Sequence, residues 1–263
     1  MTRAAVYGSP AWRRWKHDHH WATTGAPADP LGAGNTALIA ALGGNSAVLG
    51  FHDARLASSL TISGSNVAAW ADVRGAGFGP TINKNGANAG AVWDAVNLLV
   101  KTNGTNATAM FSSAVSLYDT SQAISLVLVG ACVSTVTFAS LGRDAGTANQ
   151  LALDASGSVI RANGNGTGIA SAVALSTTVR VSFAAKNAGT TAQVEVPSQA
   201  LVSGTIAAST SAANRLQLGI GSGLSALGTV NARALLVLAG VYTTAQRDAI
   251  KTWATTYHGV TLA

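Results

Sequence analysis

Over most of the chain, apolar residues alternate with polar ones or gather in short blocks separated by Gly, Asn and Ser. Val179-Arg180-Val181-Ser182-Phe183 and Ala192-Gln193-Val194-Glu195-Val196 alternate with period two, the repeat of a half-buried strand. Asn187-Ala188-Gly189 lies between them, so the pair predicts a β-hairpin. Ser156-Gly157 predicts a second hairpin, between Gln150 to Asp154 and Val159 to Ala162. Ile124 to Val133 is a nearly unbroken apolar run with β-branched members, the pattern of a central strand covered on both faces. Arg215 to Ile220 and Ala232 to Tyr242 are further strand candidates. Short strands between turn-forming clusters point to an all-β sandwich.

The period changes near the C-terminus. Thr243 and Gln246 stand at capping-box spacing. Ile250, Trp253, Ala254 and Tyr257 follow at i, i+3, i+4 and i+7, which places them on one face of a helix. Gly259 occupies the position of a left-handed C-cap. One helix is therefore expected to close the chain, with its Trp253 and Tyr257 face packed on the sandwich.

Residues 1–47 have a different texture. They hold Trp12, Trp15 and Trp21, together with Arg3, Arg13, Arg14 and Lys16, and Pro10, Pro27 and Pro30 interrupt any long helix or inner strand. The segment is expected to be an extended N-terminal arm, with a short apolar turn at Thr36 to Leu42. Trp and Arg dominate interface hot spots, so Trp12, Arg13, Arg14, Trp15 and Trp21 are the expected subunit-anchoring residues. The domain reading is an anchoring arm over 1–47 and a β-sandwich domain over 48–263.

Composition narrows the function. Hydrophobic residues make up 48% of the chain and charged residues 10%, a surface short of the charges that block edge-to-edge strand pairing. That balance suits life inside an assembly. The net charge of +6 reflects scarce acids more than abundant bases, and no basic stripe or nucleic-acid motif accompanies it, so no nucleic-acid partner is expected. Glu195 is the single glutamate and the aspartates are widely scattered. Since glycoside hydrolysis usually employs two flanking carboxylates, the chain is expected not to be an enzyme, with no catalytic residues. Cys132, the lone cysteine, sits in the apolar run and reads as a small core residue. Met1 to Trp21 lacks the apolar core of a signal peptide, and no stretch is apolar enough to span a bilayer as a helix, so no membrane insertion is expected.

Several segments together resemble a known family. Phe51-His52-Asp53-Ala54-Arg55, Ser59-Leu60-Thr61, Val67-Ala68-Ala69-Trp70-Ala71-Asp72 and Gly75-Ala76-Gly77 are similar to the opening of concanavalin A-like (LamG-type) jelly-roll domains found in phage tail and other virion proteins. Leu218 to Gly221 and the closing Tyr257-His258-Gly259 resemble the end of such domains. The resemblance covers about residues 48–263. It implies a jelly-roll sandwich of two antiparallel sheets with one C-terminal helix, in which Trp70 and Asp72 are mainly structural. Lys101-Thr102-Asn103-Gly104 stands where family members often carry Phe-Asp-Gly, a departure that removes the usual aspartate. The resemblance further implies a structural or adhesion protein of a phage or phage-like particle, made in the host cytoplasm. Its expected partners are other virion subunits, further copies of itself and a host cell-surface polysaccharide. The alternatives are a free carbohydrate-binding module and, below it, a glycan-cleaving enzyme.

Glycan binding needs an aromatic platform beside hydrogen-bonding side chains. Trp93 and Asp94 with the Asn-rich loop carrying Asn83, Asn85 and Asn88 form the first candidate, and Tyr118-Asp119 the second. His17-Asp18-His19-His20 is the densest group of metal-ligand types, but neighbours in an extended chain point in alternate directions, so no metal and no cofactor is expected. Gly75 to Gly79 and Gly164 to Gly168 lack the Gly-Lys-Ser/Thr continuation of a phosphate loop and read as turns. His52 and His258 are far apart in sequence and open to meeting in space.

Overall fold

The computed structural model describes residues 32, 34–113, 122–134, 136–142, 151–164, 167–197, 199–208, 215–221 and 227–262. Helix α1 (Asn35–Ala41) leads into strands β1 (Val48–Asp53), β2 (Leu60–Ser63), β3 (Asn66–Trp70), β4 (Ile82–Lys84), β5 (Ala91–Asp94) and β6 (Leu99–Lys101). Next come β7 (Met110–Ser112), β8 (Ile124–Cys132), β9 (Ala139–Gly142), β10 (Leu151–Ser156), β11 (Val159–Gly164) and β12 (Thr167–Ala174). The chain ends with β13 (Arg180–Lys186), β14 (Thr191–Glu195), β15 (Val202–Thr205), β16 (Arg215–Leu218), β17 (Val230–Ala239) and helix α2 (Thr244–His258).

All pairings are antiparallel and resolve into two sheets. Sheet A runs β1–β17–β8–β13–β14–β15. Sheet B runs β12–β11–β10–β9–β16–β7–β4–β3–β2. The β5–β6 hairpin stitches them together, pairing with β3 through β5 and with β17 through β6. This is an all-β jelly-roll sandwich. Neighbours in space are distant in sequence, which is why hairpins were legible locally and sheet order was not.

Alternation along the strands fills two cores. Leu126 and Leu128 of β8 and Leu235 and Val237 of β17 meet Trp70, Ile82, Met110, Leu141, Leu153 and Leu216 between the sheets. The intervening residues, Val127, Val129, Leu236 and Leu238, face the other way and pack beneath the helices against Leu38, Ile39, Ile250 and Trp253. Helices, sheet A and sheet B therefore form three layers. Central strand β8 is buried along its whole length, as its unbroken apolar run predicts. Cys132 lies buried as a free thiol, and burial pushes its pKa up to about 12.

Helix α2 has the predicted ends. The Thr243 hydroxyl accepts from the Gln246 backbone, Gln246 reciprocates on the Thr243 N–H, and Gly259 turns left-handed at φ 61°. Residues 35–41, expected to contribute only a turn to the arm, form a helix whose Asn35, Leu38 and Ile39 are buried under α2. A Cβ on Gly34 would come within 2.2 Å of the Tyr257 ring, so the approach of α1 to α2 requires glycine there. Trp12, Arg13, Arg14, Trp15 and Trp21, like His17 to His20, lie outside the described residues.

Candidate functional site

Two Asp-x-Arg segments brace the opening of the fold. Asp72 accepts from the Phe51 and Arg74 backbone N–H groups, both at 2.9 Å, and pairs with the Arg74 guanidinium at 2.7 Å. Arg74 then reaches the Val48 carbonyl at 2.6 Å. Asp53 repeats the device: it accepts from Arg55 N, Nε and Nη2, and Arg55 donates to the Tyr257 carbonyl at 2.6 Å. Burial alone would raise the Asp53 pKa, but the charge of Arg55 prevails and holds it below the usual carboxylate value. Trp70 is fully buried between the sheets. These motif residues hold the architecture together.

The sequence candidates do not gather into one platform. Trp93 packs half-buried against the inter-sheet core. Asp94 closes its own turn by accepting from Asn97 and from Lys101 Nζ at 2.5 Å. Partial burial would raise its pKa, but hydrogen bonds from Asn97 and Lys101 draw it down to about 2. Asn85 and Asn88 donate to the Oδ1 and backbone carbonyl of Asn106, tying two loops together. Tyr118 and Asp119 lie outside the described residues. His52 touches Trp70 in the inter-sheet core, whereas His258 lies against Trp253 in the helix layer, so the two histidines occupy opposite faces of sheet A.

Asn83 belongs to a different constellation. Residue pairs Ala69–Asn83, Asn83–Phe111, Phe111–Gln217, Gln217–Ser140, Ser140–Ala152 and Ala152–Asn163 lie directly opposite one another across successive strands. Their sequence neighbours Trp70, Ile82, Met110, Leu216, Leu141 and Leu153 point into the core, so the row lines the outer face of sheet B. Asn83 and Phe111 are half-buried, while Gln217, Ser140 and Asn163 are buried. Arg215 stacks over the Phe111 ring at 4.6 Å.

The centre of this row is polar and incompletely satisfied. Ser140 Oγ lies 2.6 Å from Gln217 Oε1 and 3.0 Å from the Ile220 carbonyl. Gln217 Nε2 is buried with no hydrogen-bond partner. Rotating the amide would exchange the orphaned donor for an orphaned acceptor without satisfying it. Asn163 Nδ2 donates to Asp154 at 2.6 Å, and Arg161 grips the same carboxylate at 2.6 and 3.0 Å. That leaves Asn163 Oδ1 buried without a partner. Three strand spacings, roughly 14 Å, separate Gln217 from Asn163. Buried polar atoms are almost always hydrogen-bonded, so two orphans on one sheet face mark positions for ligand or water. No local motif announced them, because the row draws one residue from each of seven strands.

The sequence matches no family model and no curated protein. Solved structures do match in fold. A GH54 α-L-arabinofuranosidase variant soaked with 4-nitrophenyl α-L-arabinofuranoside aligns over 84% of this chain and 65% of its own, at TM-score 0.58 and 9% identity. A Trypanosoma rangeli sialidase variant displaying trans-sialidase activity aligns over 95% of this chain and 38% of its own, at TM-score 0.54 and 11% identity. The binding domain of Paraclostridial Mosquitocidal Protein 1 aligns over 81% of this chain and 55% of its own, at TM-score 0.52 and 6% identity. This chain spans less than two thirds of each. At such identities the likeness is one of fold: a β-sandwich that occurs in a sialidase, an arabinofuranosidase and the binding domain of a mosquitocidal protein.

One expectation is corrected by these neighbours. Scarce carboxylates suggested that the chain is not an enzyme, yet the same fold occurs in a sialidase and an arabinofuranosidase. The two-carboxylate argument is also not general, because some glycosidases use other nucleophiles. Composition therefore does not exclude catalysis here.

Proposed function

We propose that this chain binds carbohydrate on the outer face of sheet B. The observation that supports this is the polar row centred on the orphaned Gln217 and Asn163 amides. A sugar hydroxyl both donates and accepts, so it complements either orphan. Phe111, half-buried in the row between Asn83 and Gln217, adds the apolar contact that saccharide rings use. Neighbours described as sialidase and arabinofuranosidase, one soaked with an arabinofuranoside, favour glycans as the ligand class.

A glycan array probed with the full chain, followed by calorimetric titration of the best ligand, tests this reading. Gln217→Ala and Asn163→Ala are each expected to weaken binding at least tenfold, about 1.4 kcal/mol or more, while the chain remains folded. Binding that both variants leave intact would remove sheet B as the site, and an array without hits would remove the reading itself.

The resemblance to jelly-roll domains of phage tail proteins supports a finer reading, in which the domain is displayed on a phage-like particle. Trp12, Arg13, Arg14, Trp15 and Trp21 would then anchor it to neighbouring subunits, and host surface polysaccharide would be its target. Solution mass of the full chain beside one lacking residues 1–31 tests the anchor. An oligomer that becomes monomeric supports it, and an unchanged mass counts against it.

A further inference from the structure

A cleft of about 230 Å³ opens on the other side of the molecule, where Arg55, Arg233, Tyr257 and His258 face the β5–β6 turn carrying Val96 and Leu98. Two backbone irregularities converge on it. The β17–β8 register shifts between Ala232 and Ala234, so Arg233 is the extra residue of a β-bulge, a feature that re-aims a side chain. Gly130 on β8 accommodates the bulge: a Cβ there would lie 2.6 Å from the Asn231 carbonyl oxygen. Across the cleft Leu98 has φ 54°, a left-handed conformation that branched and bulky side chains rarely adopt.

The charges around the cleft are unevenly matched. Asp53 is engaged by Arg55 from below. Arg233 donates to the His258 carbonyl, but its Nε is buried without a hydrogen-bond partner, and no carboxylate among the described residues pairs with it. Both ring nitrogens of His258, a residue 3% exposed, also lack hydrogen bonds. Its nearest carboxylate oxygen, Asp53 Oδ1, stands 3.7 Å from Nε2. A half-buried guanidinium with an open N–H, beside an unpartnered imidazole, is costly unless something of opposite charge completes it.

We propose that this cleft is a binding site for a small oxoanion (a carboxylate, sulfate or phosphate group) held by Arg233 with His258 as a second hydrogen-bonding group. Guanidinium recognises such groups with charge-assisted hydrogen bonds. The volume lies below that of drug-sized pockets, which suits a single anionic group and not an oligosaccharide. Val96, 69% exposed at the lip, would contact whatever apolar part the anion carries. The site is separate from the outer face of sheet B, and it stands whether or not that face binds glycan.

Titration of the full chain with sodium acetate, sulfate and phosphate at constant ionic strength, against chloride, tests the proposal by heat of binding and by melting temperature. A saturable response to at least one oxoanion is expected, weakened at least tenfold by Arg233→Gln and only partly by Arg233→Lys. Arg161→Gln, on sheet B, should leave it unchanged. Sulfate and phosphate also stabilise proteins generally by exclusion from their surfaces, an effect that does not saturate and would be equal in all variants. A response of only that kind would overturn the proposal. Should Arg233→Gln fail to fold, Val96→Glu places a carboxylate at the lip from an exposed position. Reduced oxoanion binding in that variant supports the site, and undiminished binding overturns it.

Discussion

Asn35 and Trp253 meet across the helix layer, where the indole Nε1 donates to Asn35 Oδ1 at 3.0 Å. The same amide donates through Nδ2 to Asp53 Oδ2 at 3.1 Å, so one fully buried side chain links α1, α2 and the end of β1.

That link makes Asn35→Ala a severe substitution. It removes one hydrogen bond from the buried indole N–H, worth about 0.5–1.5 kcal/mol, and one from the Asp53 carboxylate, which Arg55 still holds, worth about 1.5–3 kcal/mol. A loss of about 2–4 kcal/mol in urea unfolding is expected, against no more than about 0.5 kcal/mol for Ala40→Gln on the exposed side of the same helix. Equal effects of the two would mean that α1 is not part of the folded body.

The buried Asp72–Arg74 pair gives a second prediction. Both side chains are at most 2% exposed. Arg74→Met leaves Asp72 buried with only backbone donors, and breaking such a pair costs about 3–5 kcal/mol. Asp72→Leu with Arg74→Met removes both charges, so the double variant should be less destabilised than the sum of the singles. A double-mutant cycle is expected to return a coupling of about 2 kcal/mol or more. Additivity within about 0.5 kcal/mol would show that the pair does not act as a unit.

The parts of this fold that were legible in the sequence are those whose physics is local. Thr243, Gln246 and Gly259 define α2 because caps act within one turn, and the β13–β14 hairpin follows from two alternating runs around a short polar turn. Helix α1 was missed because it begins at a glycine and has no side-chain cap, and its stability comes from Leu38, Ile39 and Asn35 packing on α2 more than 200 positions away. The candidate site was hidden for a similar reason. Gln217 and Ser140 are 77 positions apart and become partners only through β16–β9 pairing. Among the described residues, Asn83 alone of the expected ligand residues lies on that row. Trp93 and Asp94 were spent on core packing and a turn, uses that an aromatic-acidic dipeptide does not distinguish by itself.

The two buried histidines should govern the acid limb of stability. Burial lowers the His258 pKa to about 3, with the Arg55 and Arg233 charges acting in the same direction and Asp53 against them. Burial also lowers the pKa of His52, whose Nε2 lies 2.8 Å from the Pro80 carbonyl. An unfolded histidine titrates near 6.5. Above that pH both states are neutral and the contribution to stability is complete. As pH falls below 6.5, the unfolded chain takes up protons that the folded chain refuses, so stability declines, for His258 until its folded pKa is reached. Each histidine adds up to about 1.4 kcal/mol per pH unit to that slope. Asp53, whose pKa is depressed, loses its contribution as pH falls through the ordinary carboxyl pKa, about 3.9, toward its lower folded value, so the histidine window from about 6.5 to 4.5 lies above it. Urea midpoints measured across that window in chloride are expected to fall steeply for the wild type. His258→Phe, which keeps an aromatic ring beside Trp253, should reduce the slope by about half. A slope unchanged by His258→Phe would mean that His258 is protonated in the folded protein, paired with Asp53 as an ion and not held as a neutral ring.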